Sequence, residues 1–167
     1  MIVSRRQFLK TGLAGSVLLA LSGWLNAAGA RSLSDGEREM LAALANAILE
    51  GALPPEGERR RRLLALTVDG IASAVAGLSL AAQKELGELF GLLVLAPGRL
   101  MLAGVGKPWR EASVAEVSDF LQSWRSSRLS LLQTAYAALH DLTFAAWYGR
   151  SDTWDAIDYP GPPRGYF

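Results

Sequence analysis

The sequence contains no cysteine and only one histidine, His140. Without cysteine the chain can form no disulfide, no thiolate metal site, no cysteine-ligated iron–sulfur cluster and no covalent c-type haem attachment. A single imidazole with scattered carboxylates is a poor basis for a metal site, and a helical His140 beside Asp141 is more often packed or hydrogen-bonded. We therefore predict no metal, no cofactor and no catalytic residue in this chain, with an enzyme acting through these two residues as an alternative.

Strand and nucleotide-binding patterns are missing as well. No Asn-Gly or Asp-Gly hairpin pair occurs, and the short apolar runs lie within a helical period. No G-x-S-x-G or G-x-G-x-x-G motif is found. Gly104-Val105-Gly106-Lys107 is similar to a phosphate loop only in part, because Met101 and Pro108 stand where that loop requires a glycine and a hydroxyl residue. We interpret this segment as a turn.

The first thirty residues carry the most specific motif, Ser4-Arg5-Arg6-Gln7-Phe8-Leu9-Lys10. It precedes an uncharged stretch from Thr11 to Ala30, and together they predict a twin-arginine export signal and a periplasmic protein. The residues that we assign to the signal are Arg5, Arg6, Phe8, Leu9 and Lys10, and those that we assign to its cleavage site are Ala28 and Ala30. Residues 1–30 are thus predicted to be the signal peptide.

Cleavage after Ala30 would leave 137 of the 167 residues, enough for one domain with its own core. Of the 17 basic residues three lie in the signal, so 14 remain against 16 acidic residues, and the net charge is −2. Nucleic acid is therefore not an expected partner. The alternative is that Thr11–Ala30, about 20 uncharged residues, persists as a membrane anchor of a structural module.

The remaining chain is predicted to be an all-α bundle of about five helices over residues 31–149. Capping boxes at Ser34/Glu37 and Ser113/Glu116 mark two helix starts, and Ser79 is a plausible N-cap for another. The expected helices are 35–50, 55 or 56 to 77, 80 to about 96, 114–127 and 129–148, with Pro97 ending the third. The last is apolar over most of its circumference, so we expect it at the centre of the bundle.

Four consecutive arginines, Arg59–Arg62, form the strongest charge run. A helix that starts before them places Glu56 and Glu58 in its first turn, where they favour the helix dipole and pair with Arg60 and Arg62 at i,i+4 spacing. A solvated, self-paired face is one interpretation. An acidic partner surface or anionic lipid headgroups is the other.

Residues 150–167 are predicted to be an extended tail rich in proline, glycine and aromatic residues. Prolines restrict its conformations and aromatic side chains offer large contact areas, so the tail is suited to lie on another surface. Packing back on its own bundle is the alternative. The candidate partner-binding residues are Trp147, Tyr148, Trp154, Tyr159, Pro160, Tyr166 and Phe167.

These features together resemble a known family. The chain is similar to the small subunits of periplasmic flavin-dependent alcohol, sugar and sugar-acid dehydrogenases, the gluconate 2-dehydrogenase subunit 3 family. The similarity lies in the export signal, Trp124-Arg125, Ala146-Trp147-Tyr148-Gly149, Trp154 and Tyr159-Pro160-Gly161-Pro162-Pro163. The first mature helix departs from the family pattern, since it ends in Ile48-Leu49-Glu50-Gly51-Ala52-Leu53-Pro54.

The resemblance implies a non-catalytic subunit that holds no flavin itself. It implies a large partner subunit of the glucose-methanol-choline type, which carries FAD and which the small subunit helps to fold and to export through the twin-arginine translocase. A cytochrome c subunit that accepts the electrons is a further implied partner, and membrane association would then arise through the complex.

Overall fold

The computed structural model describes residues 32–151 and residue 153. This part of the chain is helical and contains no strand, so the predicted all-α bundle is confirmed. The five long helices are α1 (Asp35–Ile48), α2 (Glu58–Ala76), α3 (Leu80–Val94), α4 (Val114–Arg125) and α5 (Ser130–Tyr148). Short turns join α3 to α4: an α-helical turn at Ala96–Gly98, a π-helical turn at Arg99–Ala103 and a 3₁₀ turn at Trp109–Glu111.

Both predicted capping boxes are present. The Ser34 amide donates to the Glu37 carboxylate (2.9 Å) at the start of α1. The Ser113 amide and hydroxyl donate to the Glu116 carboxylate (2.8 and 2.7 Å) at the start of α4. The bonds from the Ser113 backbone and side chain, with a smaller contribution from Lys107, lower the pKa of Glu116 to about 2. Two of the helix starts are thus fixed by interactions that span three residues.

Two helix boundaries differ from the prediction. α2 begins at Glu58, because Gly57 takes the N-cap position with a φ of 150°, so Glu56 lies before the helix instead of in its first turn. α3 ends at Val94, since Leu95 adopts an extended conformation, and Pro97 lies in the first turn of the next helical segment. Proline is tolerated there because the first amides of a helix have no intrahelical acceptor.

The helix that contacts all four other long helices is α1. Its buried face carries Met40, Leu41, Leu44 and Ala45, at the spacing of a helix that is apolar on one side. The prediction that α5 is central is therefore wrong. α5 packs mainly against α2 and α4, and Leu131 and Tyr148 on its other side are exposed.

α2 and α5 pack closely against each other at Gly70 and Ala146. A Cβ added to Gly70 would lie 2.9 Å from the Ala146 Cβ, closer than side-chain atoms normally approach. Glycine therefore permits this crossing. Beside it a second apolar cluster forms around Trp147, separate from the main core, and includes Ala45, Leu49 and Leu53.

Among the described residues, no single helix is both long and apolar enough to cross a membrane. α3 and residues 96–103 taken together are long and apolar enough, but the two segments meet at a bend of 84°. The predicted export signal (Arg5, Arg6, Phe8, Leu9 and Lys10) and cleavage site (Ala28 and Ala30) lie outside the described residues, as do residues 154–167.

Candidate partner-binding surface

Trp147 is the best-defined of the predicted partner-binding residues. It lies in the last turn of α5 with only 1% of its surface exposed, and it packs among Leu49, Leu53 and Phe144 in the second cluster. The structure thus places this residue inside the bundle instead of on its surface. Because Trp147 is buried, it could contribute to an interface only by holding the neighbouring chain segment in place.

The chain leaves α5 along a fixed path. The Thr153 hydroxyl shares its one proton between the carbonyl oxygens of Trp147 (2.7 Å) and Arg150 (2.8 Å), and Thr153 itself is buried. The Trp147 carbonyl lies in the last turn of α5, where carbonyl groups have no amide donor within the helix, and it also accepts from the Arg150 amide (3.3 Å). The start of the tail is therefore held against the C-terminus of α5.

Among the described residues, the buried indole nitrogen of Trp147 has no hydrogen-bond partner. A buried unpaired donor costs about 1–3 kcal/mol of stability, whereas the ring itself contributes through packing. We expect Trp147→Phe to leave the free energy of unfolding unchanged within about 1 kcal/mol, and Trp147→Ala to lower it by about 3–5 kcal/mol. Urea denaturation of the purified mature chain measures both. Equal losses in the two variants would contradict this account, since they would mean that the indole nitrogen matters more than the ring volume.

Tyr148, the next predicted contact residue, is exposed at the end of α5. Its ring meets Phe144 edge-on, with 5.5 Å between centroids. The other predicted contact residues, Trp154, Tyr159, Pro160, Tyr166 and Phe167, lie outside the described residues. Of the predicted set, Tyr148 is therefore the one that the described chain presents at its surface.

A row of aromatic rings along one face of α5 was not predicted from the sequence. Tyr136, His140, Phe144 and Tyr148 follow each other at i,i+4 spacing, and the centroids of successive rings are 5.6, 4.1 and 5.5 Å apart. Such spacing places side chains on the same helix face. The i,i+4 spacing of these four residues is visible in the sequence, but it coincides with the apolar pattern of α5 and was not interpreted separately.

His140 also lines a small cleft between α1, α4 and α5, of about 220 Å³. Ser118 lines the same cleft, and the His140 ring nitrogen Nδ1 lies 3.2 Å from the Asp141 carboxylate. This is the closest approach to a Ser-His-Asp arrangement in the described chain. No hydrogen bond joins Ser118 to His140 there, and the Asp141 side chain is 80% exposed, so the carboxylate is not held in place as a triad requires. The cleft is also smaller than most ligand pockets.

For the dehydrogenase complex that the sequence resemblance implies, we expect His140→Ala to leave the turnover close to its original rate. The histidine packs between Tyr136 and Phe144, so the substitution should cost on the order of 1 kcal/mol of stability. Steady-state kinetics and thermal unfolding of the same preparation measure both quantities. A fall in kcat of about a hundredfold, with flavin content and assembly intact, would instead assign His140 a chemical role.

The arginine run divides into one partly buried side chain, that of Arg60, and three exposed side chains. Arg60 donates from Nε (2.9 Å) and Nη2 (2.7 Å) to the Asn46 side-chain oxygen, and from Nη1 to the Pro54 carbonyl (3.2 Å). It also pairs with Glu56 at 3.5 Å, as expected, whereas the expected Glu58–Arg62 pair is not among the ion pairs of the described residues. Arg60 therefore ties the loop after α1 to α2, and Arg59, Arg61 and Arg62 remain exposed.

Comparisons with protein-family models, with curated proteins and with solved structures gave no match. Within the described residues no three His, Cys, Asp or Glu side chains are grouped as a metal site would require.

Proposed function

We propose that this chain is the non-catalytic small subunit of a periplasmic FAD-dependent alcohol, sugar or sugar-acid dehydrogenase, and the export escort of its large flavoprotein subunit. The twin-arginine translocase carries the pair, and catalysis belongs to the large subunit. A cytochrome c subunit is a further partner, through which the complex can associate with the membrane. The assignment rests on the family resemblance of the signal, of Ala146–Gly149 and of the tail.

The observation that best supports this proposal is the fixed exit of the chain from α5. Trp147 is locked in its own cluster, and Thr153 is bonded back to the helix end. A tail whose first residues are already ordered loses less conformational entropy when it binds a partner. The motif that carries the resemblance, Ala146-Trp147-Tyr148-Gly149, forms this exit.

The export signal gives a second reason. The twin-arginine route carries folded proteins, and its usual cargo acquires a cofactor before export. Export of this chain by that route is explained, although the chain is predicted to hold no cofactor, if it is exported while bound to a partner that already holds one. One signal on the small subunit then serves both chains, as in the family that it resembles.

Purification of the tagged chain from periplasm tests the proposal. We expect it to bring down a larger polypeptide with bound flavin and with dehydrogenase activity, in fixed ratio to the small subunit. An unrelated protein with the same tag, exported by the same route, is the control. The mass of the N-terminus of the purified chain is measured in the same preparation, and cleavage after Ala30 is expected.

Two other results would each replace the proposal. A chain that purifies alone and oxidises or hydrolyses a substrate by itself is an independent enzyme, for which His140 and Ser118 are the first residues to change. A chain that keeps its N-terminus and fractionates with the membrane without a flavoprotein is a membrane-anchored module.

A further inference from the structure

The bundle begins only three residues after the predicted signal cleavage site. Leu33 is buried in the main core with 9% of its surface exposed, whereas the bond that cleavage breaks joins Ala30 to Arg31. Only Arg31 and Ser32 separate that bond from the buried side chain. Two residues span at most about 7 Å when fully extended, less than the diameter of one helix with its side chains, about 10–12 Å. An enzyme that cuts this bond therefore has to work against the folded bundle.

Burial, capping and close packing hold the chain in the bundle from Leu33 onward. The Leu33 side chain belongs to the main core. The Ser34 amide and hydroxyl donate to the buried Glu37 carboxylate (2.9 and 3.0 Å). Gly36 lies so close to α3 that an added Cβ would be 2.8 Å from a methyl carbon of Val94. The start of α1 is thus fixed by contacts with the core, with α1 itself and with α3.

A folded start of this kind restrains proteolysis beside it. Proteases cut extended, exposed segments, so a bond next to folded structure is cut in molecules in which that structure has opened locally. When opening and closing are fast compared with cleavage, the cleavage rate follows the fraction of open molecules. Opening at this site withdraws Leu33 from the core, and burial of a leucine side chain alone lowers the open fraction about tenfold or more.

The predicted export route makes this restraint effective. The twin-arginine route carries folded proteins, so a signal peptidase on the far side of the membrane meets a bundle that has already formed. A chain exported unfolded would instead present the bond before Leu33 is buried. The folded state of the first residues of α1 can therefore govern processing only in a protein exported as this one is predicted to be.

We propose that the burial of Leu33 controls removal of the signal, because signal peptidase reaches the Ala30–Arg31 bond only after the first residues of the bundle have opened. The peptidase adds water across this amide, which leaves a carboxylate on Ala30 and an amino group on Arg31. The signal stays on the chain, and holds the chain at the membrane, until this local opening occurs. The inference rests on the export signal of the proposed function and requires no particular partner subunit.

The test measures how fast purified signal peptidase converts the purified full-length precursor into the mature chain, with the N-terminus identified by mass. We expect Leu33→Ala to raise the rate about tenfold, because most of the buried side chain is removed. Leu53→Ala is the matched control, since Leu53 is equally buried (8% exposed) but lies in the cluster around Trp147. It should leave the rate unchanged, because that cluster can open without the start of α1.

Two further comparisons separate the burial of Leu33 from recognition of its side chain by the peptidase. A flexible Gly-Ser-Gly-Ser-Gly insertion between Arg31 and Ser32 should raise the rate of the original chain to a similar extent. Leu33→Ala should add nothing to the insertion, because the longer tether makes opening unnecessary. Peptides of residues 21–36 with and without Leu33→Ala should be cut at equal rates, since neither contains the core that buries Leu33.

The contrary outcomes are distinct. Equal rates for the original chain, Leu33→Ala and the insertion overturn the inference and leave the export signal in place. Equal acceleration by Leu33→Ala and Leu53→Ala also overturns it, because global unfolding then exposes the bond. Faster cleavage of the Leu33→Ala peptide assigns the effect to recognition by the peptidase. If neither precursors nor peptides are cut, the inference fails together with the predicted cleavage site. Co-purification of the flavoprotein, which tests the proposed function, is measured independently of all these rates.

Discussion

With Arg5 and Arg6 both changed to lysine, we expect the chain to remain in the cytoplasm and the flavoprotein to remain with it. Lysine keeps the positive charge of each position but replaces a planar guanidinium with a compact ammonium group, and an export receptor that reads the paired guanidinium groups should not accept it. Periplasmic dehydrogenase activity should fall to the level of a strain without the small subunit. Immunoblots of both polypeptides in the two fractions, together with the activity assay, measure the effect.

The matched control is Arg59→Lys/Arg62→Lys, which makes the same chemical change at two exposed positions of α2. It should be exported normally. Normal periplasmic flavoprotein activity in the Arg5/Arg6 variant would falsify the escort hypothesis, because the large subunit would then reach the periplasm without this signal. Retention of the small subunit alone would lead to the same conclusion.

Removal of the tail should abolish co-purification of the flavoprotein and leave the bundle folded. Its aromatic residues, including Trp154 and Tyr159, are the kind that dominate interface energetics, and few other residues of the chain offer comparable contact area. The position of Thr153 decides how the truncation should be made. A chain that ends at Thr153 keeps the bonds to Trp147 and Arg150, whereas one that ends at Gly149 loses them.

We therefore expect the chain that ends at Thr153 to keep its helical circular dichroism and its unfolding midpoint, and the chain that ends at Gly149 to be less stable by about 1–2 kcal/mol. Both should fail to bind the partner. A third variant, in which residues 154–167 are replaced by a Gly/Ser segment of equal length, keeps the chain length and should also fail. Unfolding of the chain that ends at Thr153 would show that the tail belongs to its own core. A folded truncated chain that still binds would show that the interface lies elsewhere, with Arg59–Arg62 as the next candidates.

Local signals predicted most of the helices. Ser34 and Ser113 each begin a helix where a capping box was expected, and Ser79 caps α3, because a cap depends on groups only two or three residues apart. Helix ends were predicted less well. The start of α2 at Glu58 follows from Gly57, whose positive φ no sequence pattern specified.

The candidate site was predicted only in part. Trp147 was singled out for its place before the tail, but its burial depends on Leu49 and Leu53, about a hundred residues earlier in the chain. Gly104-Val105-Gly106-Lys107 was interpreted as a turn, and Gly104, with a φ of 69°, does end the π-helical turn before it. Leu100, Met101 and Leu102 look like core residues in the sequence, and their exposure was not predicted.

The sequence by itself determined the class of fold, the starts of α1, α3 and α4, and the absence of any cysteine-based site, since each follows from residue type or from contacts within one helical turn. The tertiary structure decided which helix is central. α5 has the more apolar sequence, yet α1 contacts every other long helix, because an apolar face does not specify its partner. The close crossing at Gly70 and Ala146 sets α5 against α2 and leaves its other side exposed. Burial thus depends on which distant segments approach each other, and that information is not local.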